Sequence, residues 1–208
     1  MDAKSLKLYA VTDRQWLNGR TLAECVTEAI QGGVTMVQLR EKHLSDADFI
    51  KEAWTIKQVC ADYHVPFIIN DNLAVAQAVD ADGIHVGQAD LAAGTIRASW
   101  GPDKLVGVSA QTVPEALAAQ AAGADYLGVG AVFATATKPD AVDVPLTTLR
   151  AITQAVHIPA VAIGGIHQGN LAQLAGTGIA GVALVSELFA AADIRANAQT
   201  LLARIPEA

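Results

Sequence analysis

The stretch Gly32-Gly33-Val34-Thr35-Met36-Val37-Gln38-Leu39-Arg40-Glu41-Lys42 sets out a pattern that organises the chain. A glycine pair closes a helical segment. Strand formers follow, and the strand ends on strongly polar side chains. Side chains alternate sides along a strand, so Gln38, Arg40 and Lys42 project one way and Glu41 the other. Three donor-bearing groups at a strand end suit a highly charged anion. Glu41, turned away, reads as a structural partner.

The same helix exit and strand recur in Ala81-Asp82-Gly83-Ile84-His85-Val86, Gly123-Ala124-Asp125-Tyr126-Leu127-Gly128 and Gly178-Ile179-Ala180-Gly181-Val182-Ala183. Between these lie further short, apolar runs bounded by Gly, Asp or Asn. Strands are expected at residues 7–12, 34–39, 66–69, 83–86, 105–108, 126–129, 160–163 and 181–185. The four similar stretches then fall on alternate strands, an approximate fourfold repeat.

Helical patterns fill the intervals. Leu22, Cys25, Val26, Ala29 and Ile30 make one apolar face, and Phe49, Ile50, Ala53, Trp54 and Ile56 the next, with Ser45 or Asp46 as its cap. Thr112 precedes a helix with Pro114 in its first turn. Residues 72–79, 91–100, 146–155 and 170–175 read as helices, and 188–205 as a closing helix broken near Asp193. Near-continuous apolar strands alternating with helices imply a closed parallel sheet inside a helical ring. The expected fold class is α/β, a (β/α)8 TIM barrel, with residues 1–208 forming a single catalytic domain. An open doubly wound sheet would carry G-x-G-x-x-G after its first strand, whereas Val11-Thr12-Asp13-Arg14-Gln15 stands there.

Composition agrees. The 208 residues are 52% hydrophobic and 17% charged, with a formal charge of -7. That balance argues against nucleic acid or an anionic membrane as partner; phosphorylated small molecules held by a local cationic cluster fit better. Cys25 and Cys60 lie in helical patterns without ligand spacing and read as reduced packing residues. Met1-Asp2-Ala3-Lys4-Ser5-Leu6 lacks the apolar core of a signal peptide, and no run approaches the ~18 apolar residues of a membrane span. A soluble cytoplasmic protein is expected, and a homo-oligomer is compatible with the sequence.

Barrel enzymes place their chemistry on the loops after the strands. Here those loops carry Thr12-Asp13; Gln38, Arg40 and Lys42; Asn70-Asp71; His85, Gln88 and Asp90; Ser109; Thr135-Ala136-Thr137-Lys138; Gly164-Gly165; and Ser186. Gly164-Gly165 and Val185-Ser186 match the common phosphate site after the last two strands, although the glycines also suit a tight turn and Ser186 a helix cap. Asp71 and Asp90 suit a hard cation such as Mg²⁺, which takes one or two carboxylates plus phosphate oxygens; each is equally placed to cap a helix. Arg40, Lys42 and Lys138 could grip the same phosphates. Together these describe a monophosphate and a metal-bound diphosphate. His85 reads as a structural histidine, and Trp16, Trp54 and Trp100 as packing residues. Asp13 is open between a cap and a substrate contact. Ser109 has no sequence-visible base to make it a nucleophile.

With these residues placed, the chain resembles the thiamine-phosphate synthase family nearly end to end. The anchors are Leu8-Tyr9-Ala10-Val11-Thr12-Asp13, Val37-Gln38-Leu39-Arg40-Glu41-Lys42, Ile69-Asn70-Asp71, Asp82 to Asp90, Gly107-Val108-Ser109, Phe133 with Thr135-Ala136-Thr137-Lys138, Ala162 to Ile166, and Val185-Ser186. The resemblance implies a Mg²⁺-requiring transferase. It joins 4-amino-2-methyl-5-(diphosphooxymethyl)pyrimidine to 4-methyl-5-(2-phosphoethyl)thiazole, or its carboxylate form, giving thiamine phosphate and diphosphate. It also implies that Gln38, Leu39, Arg40, Glu41, Lys42, Asn70, Ser109 and Lys138 bind the pyrimidine diphosphate. Thr135, Ala136, Thr137, Gly165, Val185 and Ser186 would bind the thiazole phosphate, and Asp71 and Asp90 the metal.

Arg40, Lys42, Lys138 and Ser109 are the expected catalytic set. The chain departs from the family pattern at Ala134, where Pro is common, at Ala89, where an acid is common, and at Pro139 directly after the lysine. Residues 131–145 are expected to form a lid. Three rivals share the barrel: a thiazole tautomerase, a phosphosugar isomerase needing an acid/base pair, and a thiamine-phosphate sensor without turnover.

Overall fold

A computed structural model of the chain describes residues 1–88, 93–135 and 142–207. Its sheet is a closed barrel of eight parallel strands in chain order. They are β1 (Leu8–Val11), β2 (Met36–Leu39), β3 (Phe67–Asn70), β4 (Gly83–Val86), β5 (Leu105–Ala110), β6 (Tyr126–Val129), β7 (Ala160–Ile163) and β8 (Gly181–Leu184). The last strand closes on the first, with Tyr9 opposite both Met36 and Ala183. All the expected strands are present, within two residues at each end.

The helices are α1 (Leu22–Gln31), α2 (Asp46–Asp62), α3 (Leu73–Ala78), α4 (Ala93–Trp100), α5 (Val113–Ala121), α6 (Leu146–Ala155), α7 (Ser186–Phe189) and α8 (Ile194–Arg204). Their starts are chemical. Thr21 and Glu24 form a reciprocal capping box on α1. Ser45 caps α2, Asn72 caps α3 and Thr112 caps α5, each accepting from a backbone N–H three residues on. Asp193 caps α8, so the break expected there is real.

Two expectations are corrected. The helix expected at residues 170–175 is a single 3-10 turn, Leu171–Leu174. Gly176 and Gly178, both at positive φ, end it within a few residues. Trp54 is not buried packing: it is 43% exposed, with the Lys57 ammonium 5.1 Å from its ring centre. Cys25 and Cys60 are free and buried as expected, and burial pushes the Cys60 thiol up to about 12.

The period-two alternation divides the core. Leu8, Ala10, Val37, Leu39, Phe67 and Ile69 face the helices, in one shell with Cys25, Ile56 and Leu149. Tyr9, Val11, Met36, Ile68, Tyr126 and Val161 fill the barrel itself. Burying each large side chain of this kind contributes ~1.5–3 kcal/mol. One residue further along the same inward rows, the apolar filling gives way to Gln38, Asn70, His85 and Ser109. That change from apolar to polar marks where the mouth begins.

Candidate active site

Gln38 and Leu39 alternate as strand residues do, and β2 ends at Leu39, so Arg40 to Lys42 follow outside it. Gln38 is buried and turned inward, where its Nε2 donates to the Tyr9 hydroxyl at 2.7 Å. Leu39 is buried in the outer shell, so only its main chain is available to a ligand. Arg40 is half-buried, with Nη1 3.6 Å from Asp13 Oδ2. Its backbone N–H donates to Thr12 Oγ1 at 3.0 Å, which fixes where the strand leaves the sheet. Asp13 also caps a 3-10 turn, Arg14–Trp16, so the capping role left open for it is present.

Glu41 pairs with Arg14 at 2.7 Å. Burial pushes its carboxyl up, while Arg14 pulls against that shift. Lys42 is exposed and lines an open groove of about 540 Å³ with Glu41, Asp46, Asn70, Asp71 and Asn72.

On β3, Asn70 Nδ2 donates to Asp71 Oδ2 at 2.5 Å. Asp71 has φ +61°, in the left-handed region that Asp tolerates better than most residues. Its N–H donates to the His85 carbonyl at 2.9 Å. Asn72, not Asp71, caps the helix that follows. The capping alternative for Asp71 is therefore removed, and its carboxylate stands at the mouth. Asp90, Ala136, Thr137, Lys138 and Pro139 lie outside the described residues. Among the described residues, no group of three or more His, Cys, Asp or Glu could by itself hold a metal ion.

His85 points into the barrel. Its Nδ1 lies 3.2 Å from the Tyr126 hydroxyl and its Nε2 3.1 Å from Ser109 Oγ. The Tyr126 and Tyr9 hydroxyls are 2.8 Å apart. Burial pushes both phenols above their ordinary range, so each keeps its proton. Ser109 thus has a histidine neighbour that spacing along the chain did not reveal. The histidine's other ring nitrogen meets the Tyr126 hydroxyl, an arrangement unlike that of a nucleophilic triad.

The Gly164-Gly165 end of the mouth is built by close approach of two loops. Val132 N–H donates to Ile163 O at 3.0 Å and Phe133 N–H to Gly164 O at 3.1 Å. Gly164 and Gly165 have φ +95° and +63°. A Cβ on Gly165 would strike the Phe133 and Ala134 carbonyls, so glycine is needed on both counts. The Gly165 N–H donates to no described residue. Ser186 is the first residue of α7 and makes no capping bond, while Val185 packs against the barrel filling. Thr135 is the last described residue of the strand-6 loop on this side. The loop's return is pinned where Ala131 N–H donates to Val142 O at 3.1 Å and Val144 N–H to Ala131 O at 2.7 Å.

A parallel barrel whose polar and cationic residues gather after the strands defines a (β/α)8 enzyme of the phosphate-handling kind. The family described as thiamine monophosphate synthase matches residues 8–188, and the chain belongs to it. It is 51% identical over 195 residues to "Thiamine-phosphate synthase" of Ruminiclostridium cellulolyticum, covering 94% of this chain and 93% of that one. It is 45% identical over 207 residues to the protein of the same name from Shouchella clausii, covering 99% of each. Among solved structures, "Thiamine phosphate pyrophosphorylase" from Pyrococcus furiosus superposes with a TM-score of 0.90 at 37% identity, covering 98% of this chain and 96% of that chain. No helix among the described residues is long and apolar enough to cross a membrane.

Proposed function

We propose that this barrel joins the aminopyrimidinylmethyl diphosphate to the thiazole phosphate, forming thiamine phosphate and releasing diphosphate. Family membership over most of the chain supports the reaction. The observation that carries it to the site is the shared mouth of Gln38, Arg40, Asp71, Ser109 and Gly165. Two anionic groups and two neutral heterocycles need that assortment.

The roles follow from charge. Arg40, Lys42 and Asn70 bind the diphosphate from the β2 and β3 ends, with Lys138 approaching from the strand-6 loop and the backbone of Leu39 and Glu41 completing the grip. Gln38 and Ser109 face the pyrimidine. The Gly165 N–H, Ser186 and the Val185 backbone hold the thiazole phosphate, with Thr135, Ala136 and Thr137 as its further ligands. Asp71, together with Asp90, would hold Mg²⁺. A pair of carboxylates without a full protein cage fits an ion that draws its other ligands from phosphate and water. When bound, the ion supplies positive charge to the diphosphate.

The chemistry asks little acid/base work of the chain. The bond between the methylene carbon and the diphosphate oxygen breaks, and its electron pair leaves with the diphosphate. Arg40, Lys42 and Lys138 stabilise that growing charge. The electron-rich aminopyrimidine supports the methylene cation. The thiazole nitrogen lone pair forms the new C–N bond, and no proton need be removed. Such a path is consistent with a His85 ring that meets a phenol and a serine hydroxyl.

The test supplies each substrate alone and then both, with Mg²⁺ throughout, and measures thiamine phosphate and diphosphate. Equal amounts of the two products, only when both substrates are present, are expected. Conversion of the thiazole substrate alone would point to the tautomerase, and binding without product to a sensor; either result overturns the proposal.

A further inference from the structure

The hydrogen bonds under the mouth form one continuous line across the barrel: Gln38, Tyr9, Tyr126, His85, Ser109. These residues come from β2, β1, β6, β4 and β5. The interior is cleared for them. Gly107 sits opposite His85 on one side and Tyr126 on the other. A Cβ at Gly107 would overlap the Tyr126 ring and come within 2.5 Å of His85 Nδ1. A Cβ at Gly128 would lie 3.0 Å from His85 Cε1. Glycine in the middle of a strand weakens it, so two such glycines around the same rings mark a site the packing is arranged to keep.

Counting protons gives the line a direction. The Gln38 amide nitrogen can only donate, so Tyr9 oxygen accepts and the Tyr9 proton is left for Tyr126. Each phenol has one proton, so Tyr126 passes its own to His85 Nδ1. A neutral imidazole that accepts at Nδ1 carries its proton on Nε2. That N–H donates to Ser109 Oγ, and the serine proton is turned out of the line. At the other end, Gln38 Oε1 accepts from no described residue.

We propose that Tyr9, Tyr126 and His85 are positioning residues that lock this polarity, so that the mouth presents Gln38 Oε1 as a fixed acceptor and the Ser109 hydroxyl as a fixed donor to the aminopyrimidine. A 4-aminopyrimidine carries an exocyclic amine donor and ring-nitrogen acceptors, the complement of that pair. A ring with a carbonyl oxygen in place of the amine would meet acceptor with acceptor at Gln38. The ligand rests on the proposed function; the tautomer does not.

The test has two independent arms. Nitrogen NMR of histidine-labelled protein at mildly alkaline pH reads the His85 tautomer, with the His85→Gln spectrum assigning its signals. The proton is expected on Nε2 in the wild type, and a mixture of tautomers in Tyr126→Phe. Kinetically, Tyr9→Phe and Tyr126→Phe should each raise KM for the pyrimidine diphosphate about fivefold or more, the scale of one lost hydrogen bond. KM for the thiazole phosphate should stay within about twofold. His85→Gln, which keeps an N–H donor near the Nε2 position, should retain more pyrimidine affinity than His85→Leu.

A proton on Nδ1 in active wild-type enzyme overturns the relay whether or not any variant folds. Equal increases in both KM values reduce the phenols to packing. The expected tautomer in a protein that makes no thiamine phosphate overturns the aminopyrimidine as ligand and the proposed function with it.

Discussion

Glu41 Oε1 accepts from Arg14 Nε at 2.7 Å, although its two chain neighbours, Arg40 and Lys42, are cations at the mouth. Arg14 also reaches Glu52 on α2 at 2.8 Å. The pair ties the strand-1 loop to the strand-2 end and leaves the Glu41 carboxylate committed to protein. Because Arg14 is 39% exposed, its strength is discounted for solvent. A double-mutant cycle with Glu41→Gln and Arg14→Gln should give a coupling of about 1 kcal/mol in urea unfolding. Strictly additive losses would remove the structural role given to Glu41.

Gly165→Ala meets both a left-handed backbone and two carbonyls. The substitution should cost roughly 1–2 kcal/mol of stability. By moving the Gly165 N–H proposed to hold the thiazole phosphate, it should raise KM for that substrate about tenfold or more. The pyrimidine KM serves as the control. An unchanged thiazole KM would place that phosphate elsewhere.

At the opposite end of the barrel, Asp80 accepts from Lys104 at 2.5 Å and lies 3.7 Å from Lys57. The Lys104 hydrogen bond, then the charges of Lys104 and Lys57, hold its carboxyl below its ordinary value. A lowered folded-state value means that its contribution is present above the unfolded value and lost as pH falls through the folded one. Asp80→Asn keeps the left-handed backbone tolerable, since Asn is at home there. The melting temperature of the wild type should exceed that of Asp80→Asn near neutrality, and the gap should close below the carboxylate range. A gap that widens in acid would contradict the ion-pair account.

Much of the fold was legible because alternation and helix exits are local. Gln38 inward with Leu39 outward, the caps at Ser45 and Thr112, and the break at Asp193 all follow from a few neighbouring residues. The relay was not legible, since Tyr9 and Tyr126 are 117 residues apart and His85 and Ser109 are 24 apart. Gly107 and Gly128 inside strands were the available signal: a missing side chain implies something large nearby. Arg14 with Glu41 was half legible, in that a structural role was expected for Glu41 and its partner was not. The short turn after β7 escaped because Asn170 to Ala175 has helix-forming composition, while Gly176 and Gly178 cut it short.

Lys138 carries a steeper prediction than any residue above. If it meets the diphosphate as charge develops, Lys138→Ala loses a contact worth about 2.7–4 kcal/mol, a fall in turnover of at least about a hundredfold. Saturating both substrates isolates turnover from binding. Near-normal turnover there would leave the leaving group to Arg40 and Lys42 alone.

The most direct measurement is thiamine phosphate formation from both substrates after chelation and again after Mg²⁺ is restored, in wild type and in Asp71→Asn. The account predicts product from the wild type only with Mg²⁺ present, and a need for much higher Mg²⁺ in Asp71→Asn. Product formed at the same rate in chelator, or no product under any condition, would contradict it.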